Sequence, residues 1–427
     1  MKPSPTLTTT LHKLADAKDA HKERHTPTGF GFAVADSIAF LDAAQWQQVT
    51  ATASVLMSTK YLRALESALP ANICQRYALI YRDNTPVAAV VAQVVTVSGE
   101  TVATSAAALG TPAKSKLAKA VQSASAKLRS KAIGKVRLRL LVCGNLLCWG
   151  QHGVAIAPDV SASDVYPAVA EALYRIRRAE RLAGQTDLVL VKDFTASGME
   201  ESQRLARFSY RPLETDPDMV LEIADNWRTY DDYLASLTPK YRKTVKQIFK
   251  DVDAAGCRVE RLTDIASEAT QLHALYLQVH ERAAVRPVTL SPNYLPAVSA
   301  AFGDDYRCCA IRRGDELLGF VTTLKDGDTA IGYTIGFQTA ANAETPLYFR
   351  LLNAVIADAI DLGCKRISFG RTALEPKARL GAKPVPLNLW VRHRVPIANV
   401  MLKSLLDTVH HDEAPERNPF KATQPEG

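Results

Sequence analysis

The alternation and helical spacing of apolar positions divide this chain into strands and helices, and the most informative run spans Thr329 to Gly381. Ile331, Tyr333 and Ile335 alternate with small residues, as in a half-buried strand, and Gly336 closes the run. Thr345 takes the place of an N-cap, with Pro346 at the first helical position, where its missing N–H costs nothing. Leu351, Leu352, Val355, Ile356, Ala359 and Ile360 then fall at helical spacing, and Gly363 supplies a left-handed stop. Lys365 to Phe369 predicts a second strand that ends at Gly370-Arg371. A helix start beside strand ends presents backbone N–H groups and a partial positive charge to an anion such as a pyrophosphate. An ordinary strand–helix–strand crossover without a ligand carries the same pattern.

Earlier elements anticipate this arrangement. Residues 1 to about 28 are polar and turn-rich, an expected unstructured arm. Ala44–Trp46 and Tyr61–Leu65 lie on predicted helices, and strands Tyr77–Tyr81 and Pro86–Val97 meet at the hairpin signal Asp83-Asn84. A strand over Val136–Val142, a helix over Val165–Leu182 stopped by Gly184, and a strand over Asp187–Phe194 follow. A short helical piece from Glu201 to Arg207 leads to a strand at Met219–Ile223. The second half repeats the order. Tyr306–Ile311 and Glu316–Thr323 form a hairpin across Gly314-Asp315, and the strand–helix–strand of 329–369 matches 136–194. The expectation is an α/β (α+β) fold of two tandem copies with mixed sheets: an arm at 1–28, an N-terminal domain at 29–225, a C-terminal domain at 226–412 and a tail at 413–427.

A helix between the copies starts at Thr238-Pro239 and ends at Gly256. Tyr241, Val245, Ile248, Phe249 and Val252 share one face, Lys240, Lys243, Lys246 and Lys250 spread over the other, and Arg242 sits at the border. It reads either as a linker helix with a solvated basic face or as a helix whose Arg242 and Lys243 touch a phosphate-bearing substrate. Residues 111–134 are also basic, with a thin apolar stripe and no aromatic anchor; a solvated insertion helix fits them better than a membrane or RNA contact.

Length and composition narrow the class. The 427 residues suggest two or three domains, and a hydrophobic content of 47% is enough to bury real cores. No run approaches 18 apolar residues, and the N-terminus lacks the apolar core of a signal peptide, so the expectation is a soluble, cytoplasmic protein without stable membrane insertion. Seven cysteines show no metal-ligand spacing, and their odd count argues against a disulfide framework. The formal charge of +8 favours acidic partners: CoA, nucleotides, tRNA or anionic surfaces. No Ser–His–Asp or Cys–His signature points to a covalent intermediate.

Taken together, the helix LTPKYRKTVKQ, the segment ALYLQVHERA (Ala274–Ala283), the GDELLGF hairpin, TPLYFRLLNAVIADAIDLG and SFGRTALEPKARLGA resemble the CelD-like bacterial acetyltransferases of the GNAT superfamily, relatives of the Fem-type peptidyltransferases. LLVCGNLLCWGQHG in the first copy and the closing ERNPFK extend the likeness over most of 30–420. The resemblance implies two tandem GNAT-like folds in a Fem-like architecture. It also implies transfer of an acyl group, from acyl-CoA (acetyl-CoA) as donor, to an amine on a small molecule or envelope precursor. By position, Thr345, Tyr348 and Arg350 would head the helix facing the donor, with Arg371 beside them. Lys377, Glu375 and Tyr333 would carry the chemistry, and Tyr276 would touch substrate. One departure stands out: the open loop expected between strand and helix, Gln338 to Thr345, has no glycine, so close backbone approach to a pyrophosphate is harder, and Glu344 adds negative charge there. An acyl-carrier protein or a charged tRNA, as in Fem-like aminoacyl transfer, is an alternative donor; a non-catalytic GNAT-fold binding protein is the alternative of another class.

Overall fold

The computed structural model describes residues 16, 18–98, 137–283, 286–400, 415 and 417–421. The basic stretch 111–134 lies outside them. The first half contributes β1 (Gly31–Ala35), β2 (Ile73–Arg82), β3 (Thr85–Ser98), β4 (Arg137–Cys143), β5 (Val154–Ile156), β6 (Leu188–Phe194) and β7 (Arg211–Glu222). The second contributes β8 (Cys257–Leu262), β9 (Tyr306–Arg313), β10 (Glu316–Asp326), β11 (Thr329–Phe337), β12 (Arg366–Ser368) and β13 (Lys383–His393). All belong to one mixed 13-stranded sheet in the order β1-β2-β3-β4-β6-β13-β7-β12-β11-β10-β9-β8, with β5 on β3.

Read inward from either edge, the sheet repeats itself: an edge strand, a hairpin, then a parallel pair, β4·β6 on one side and β11·β12 on the other. The last strand of each half is then exchanged. β13 pairs with β6 of the first half, β7 pairs with β12 of the second, and the two run antiparallel to each other at the centre. β7 is therefore much longer than the strand expected at Met219–Ile223. Its Pro217, which lacks an N–H, falls where the β7·β13 register shifts between Val385 and Leu387.

The helices are α1 (Ala43–Thr50), α2 (Thr59–Ser67), α3 (Ala162–Ala179), α4 (Ala196–Glu201), α5 (Tyr230–Ser236), α6 (Pro239–Ala254), α7 (Ala269–His280), α8 (Tyr294–Phe302), α9 (Thr339–Glu344), α10 (Leu347–Asp361) and α11 (Leu374–Arg379). Residues 18–25, expected as part of an unstructured arm, are also helical, and Glu23 ties them to Arg204 at 2.9 Å and to Arg207. One core is shared between halves: Trp46, Leu62 and Tyr77 pack with Leu275, Tyr294, Phe302 and Phe320. A second buries α5, α6 and α10 against Leu221, Val321 and Ile367, and a third buries α3 together with Trp390 of the exchanged strand β13. Among the described residues no helix is long and apolar enough to cross a membrane.

Two local expectations meet different outcomes. α6 starts after Thr238 with Pro239 in its first turn, and Gly256 follows it at φ +71°, as its sequence predicts. α10, by contrast, starts at Leu347 with Pro346 at the N-cap. Thr345 instead ends α9, because the glycine-free, alanine-rich Thr339–Glu344 winds into a helical turn of its own where an open loop was expected.

Candidate active site

β11 and β12 pair only through Thr329–Ile331 and Arg366–Ser368, after which β11 runs on to Phe337 while β12 stops. The gap this leaves opens a cleft of about 550 Å³ through the sheet. On one face it is walled by Phe337, Tyr348, Leu352 and Val355, which belong to the α10 core; on the other by Tyr276, Leu290, Leu147 and Trp149 from the shared core. Beside the gap, the β10·β11 register passes from Thr322 opposite Thr334 to Thr323 opposite Gly332, so Tyr333 is the extra residue of a bulge. Its hydroxyl meets those of Tyr61, at 2.9 Å, and Tyr294, and Asn145 Nδ2 donates to Tyr61 at 2.6 Å. Burial raises the Tyr333 phenol well above its ordinary value, so it stays neutral.

The floor of the cleft is a cluster of charged side chains, each held by a protein partner. Lys377, only 3% exposed, donates to the Gly370 carbonyl at 3.0 Å, and burial lowers its ammonium to about 8 against the opposing pull of Asp218. Asp218, on β7, accepts from the Ser368 hydroxyl at 2.6 Å and the Gly370 N–H at 2.9 Å; burial raises its carboxyl, outweighing those two bonds. Trp149 Nε1 donates to Ser368 Oγ at 2.6 Å. Arg371 reaches across to Asp193 at 2.7 Å, and Lys192 holds the other carboxylate oxygen at 2.6 Å. Burial opposes the charge on Asp193, yet Lys192 and Arg371 together hold it below the ordinary aspartate value. At the far wall, His280 lies 3.0 Å from Thr289 Oγ1 and stacks on Tyr276, and burial lowers its imidazole.

The matching place in the first half is filled. Beyond the β4·β6 pairs, Lys192 lies where a side chain on Gly144 would be, since a Cβ there would sit 2.4 Å from Lys192 Cγ. Lys192 Nζ donates to the carbonyls of Asn145 and Cys148, each at 2.8 Å. The loop it fastens carries Trp149 over to the other half, where the indole rests on Gly370.

Five residues singled out from sequence, Tyr333, Lys377, Tyr348, Arg371 and Tyr276, line this one cleft. The other five lie outside its lining. Glu375 pairs with Arg379 at 2.9 Å and Arg417 at 3.2 Å. Thr345 is buried, with its amide bonded to the Ala341 carbonyl at 2.8 Å. Arg350 lies over the Phe249 ring, 4.0 Å from its centroid. Arg242 donates back to the Leu237 carbonyl at 3.0 Å, and Lys243 is exposed on α6. The start of α10, expected to receive an anion, is closed by protein: Asn342 Oδ1 takes the Tyr348 N–H at 2.8 Å, and the Leu347 N–H goes to Thr345. Trp149, Ser368, Asp218, Asn342 and His280 were not singled out. Trp149, His280 and Ser368 sit inside stretches that carry the family resemblance; Asp218 and Asn342 have no sequence signal beyond their neighbours.

Residues 239–378, which contain most of the cleft, match the acetyltransferase (GNAT) domain family. The matched segment runs from α6 to Lys377's turn, so it includes β11, β12 and the crossover helix between them. No curated protein matches the chain. Among solved structures, a crystal structure of FemX is similar at 12% identity and a TM-score of 0.49, covering 82% of this chain and 94% of that one. A tandem GNAT protein from the clavulanic acid biosynthesis pathway is similar at 10% identity and 0.47, covering 86% and 99%. The L-PGS structure from Bacillus licheniformis is similar at 10% and 0.44, covering 82% and 95%.

Proposed function

We propose that the chain is an N-acyltransferase, that its GNAT segment holds an acyl thioester in the gap between β11 and β12, and that an amine attacks from the opposite face. The observation that carries this reading is the cleft itself. It passes through the sheet within the family-matched segment, joins two faces, and has a buried lysine at its floor. The CelD-like branch, the tandem-domain division near residue 225 and the bacterial envelope amine are finer parts of the same proposal.

In this mechanism the amine nitrogen bonds to the thioester carbonyl carbon, and the carbon–sulfur bond then breaks. His280, kept neutral by burial, takes the proton that the amine loses. Lys377, still largely an ammonium at pH 7, stabilises the negative charge developing on the carbonyl oxygen or supplies the proton that the departing thiolate needs. Tyr333 stays a neutral donor at the bulge. Arg371 serves to hold the Gly370 turn to Asp193 rather than to bind a free anion. No step calls for a covalent enzyme intermediate.

Thermal shift against acetyl-CoA and acetyl-pantetheine tests the reading. A ligand at a hundred times its dissociation constant stabilises by about 2.7 kcal/mol. Stabilisation that disappears when Tyr348→Trp fills the wall of the cleft supports it; no stabilisation by either thioester makes the chain a non-catalytic protein of the same fold.

A further inference from the structure

The reading above leaves open what carries the acyl group, and the cleft's charge points to an answer. A CoA donor brings a pyrophosphate and a 3′-phosphate, and these require cations or free amide N–H groups near the thioester arm. The two cationic side chains of the cleft are both engaged: Arg371 on Asp193, and Lys377 on the Gly370 carbonyl beside Asp218. The first amides of α10 are taken by Asn342 and Thr345, and Glu344 stands in the adjoining turn. The wall below that point, Phe337, Tyr348, Leu352 and Val355, is instead apolar and suits an uncharged arm.

Unengaged positive charge lies on the helix packed against α10. α6 packs beside α10, with Phe249 beneath Arg350 at 4.0 Å and stacked on Tyr230. Its outer face carries Lys240, Lys243, Lys246 and Lys250, all exposed, and none of them pairs with another described residue. Ten residues of helix place the first and last about 15 Å apart, a stripe that matches one face of an acidic helix. The aromatic residues of α6, Tyr241 and Phe249, turn inward rather than standing among the lysines as a stacking platform for RNA bases would.

We propose that the donor is a pantetheine thioester borne by an acidic carrier protein, which docks on the lysine stripe of α6 and threads its uncharged arm past Tyr348 into the cleft. The inference rests on the acyl-transfer reading and names its donor. Only the arm and its acyl group enter; the single phosphodiester joining arm to carrier stays at the mouth.

The test titrates acetyl-pantetheine, acetyl-CoA and an acetyl-charged holo acyl carrier protein against the full chain and against the combined Lys240→Glu, Lys243→Glu, Lys246→Glu, Lys250→Glu variant. Expected is similar binding of the two small thioesters, with the carrier at least about tenfold tighter than acetyl-pantetheine. The variant loses that tenfold while its acetyl-pantetheine binding, which reports an intact fold, is unchanged. Acetyl-CoA binding about tenfold tighter than acetyl-pantetheine overturns the inference, because the protein then holds the nucleotide phosphates. Carrier binding indifferent to charge reversal overturns it too, as does an acceptor-stem RNA that binds through the same lysines when the carrier does not. In these cases the small thioesters still bind and the acyl-transfer reading stands; if neither binds, that reading fails with it.

Discussion

In the proposed mechanism Lys377 is the residue on which the chemistry turns. An exposed lysine titrates near 10.4, and this one is brought to about 8 because its ammonium is moved out of water beside a single buried carboxylate. The folded-state value lies below the unfolded one, so between about 8 and the ordinary lysine value the unfolded chain binds more protons. Lys377 therefore adds stability as pH rises through that window, and below it the charged form is held at a cost. Competitive amine labelling across pH, read by peptide mass spectrometry, should give Lys377 a midpoint near 8; a midpoint in the ordinary lysine range, about 10.4, would remove the buried-ammonium argument. If the ammonium is the working form, acyl transfer should fall as pH rises through the same midpoint. Gly370 is equally demanding. Its φ is +83°, and a Cβ would meet the Trp149 ring at 3.0 Å, so Gly370→Ala should lower stability by roughly 2 kcal/mol by denaturant titration.

At the scale of elements, the cleft depends on how closely α7 approaches β11. A Cβ on Gly336 would lie 2.5 Å from the Tyr276 backbone nitrogen and from the Phe320 ring. Gly336→Ala must push α7 outward or distort the strand, and should cost roughly 2 kcal/mol or more. Because Tyr276 moves with α7, acetyl-pantetheine binding should weaken along with the unfolding midpoint; unchanged binding would separate α7 from the site. This element shows where sequence reading reaches and where it stops. Tyr333 and Tyr348 sit on one strand–helix–strand run, with Arg371 and Lys377 in the turn and short helix that follow it, so the local order of elements places them together. Asp218 and Trp149 arrive by strand exchange and by a loop crossing between halves, and no local pattern encodes either. Asn342 is hidden for a different reason. It takes the Tyr348 N–H at the start of α10 only because α9 forms, and a glycine-free segment after a strand carries no local mark that separates a helical turn from an open loop.

For the whole molecule, strand exchange decides how the two halves stand to each other. Without β13, β6 loses its antiparallel neighbour and Trp390 leaves the core around α3. Without β7, β12 loses the partner that also supplies Asp218 to the cleft floor. The helices add a second bond between halves, since α2 of the first packs in one core with α8 of the second, and Tyr61 meets Tyr294 and Tyr333 there. Each half therefore completes the other's sheet and core, although each repeats the other's order of elements. Residues 1–225 and 226–427, expressed separately, should each expose an unpaired strand and a bare apolar face, and should aggregate or lack a cooperative transition. The full chain should unfold in one transition, with Trp fluorescence and far-ultraviolet circular dichroism giving the same urea midpoint. Two separated midpoints, or a first half that folds alone with a sharp transition of its own, would mean that the exchanged strands decorate two independent domains rather than joining them.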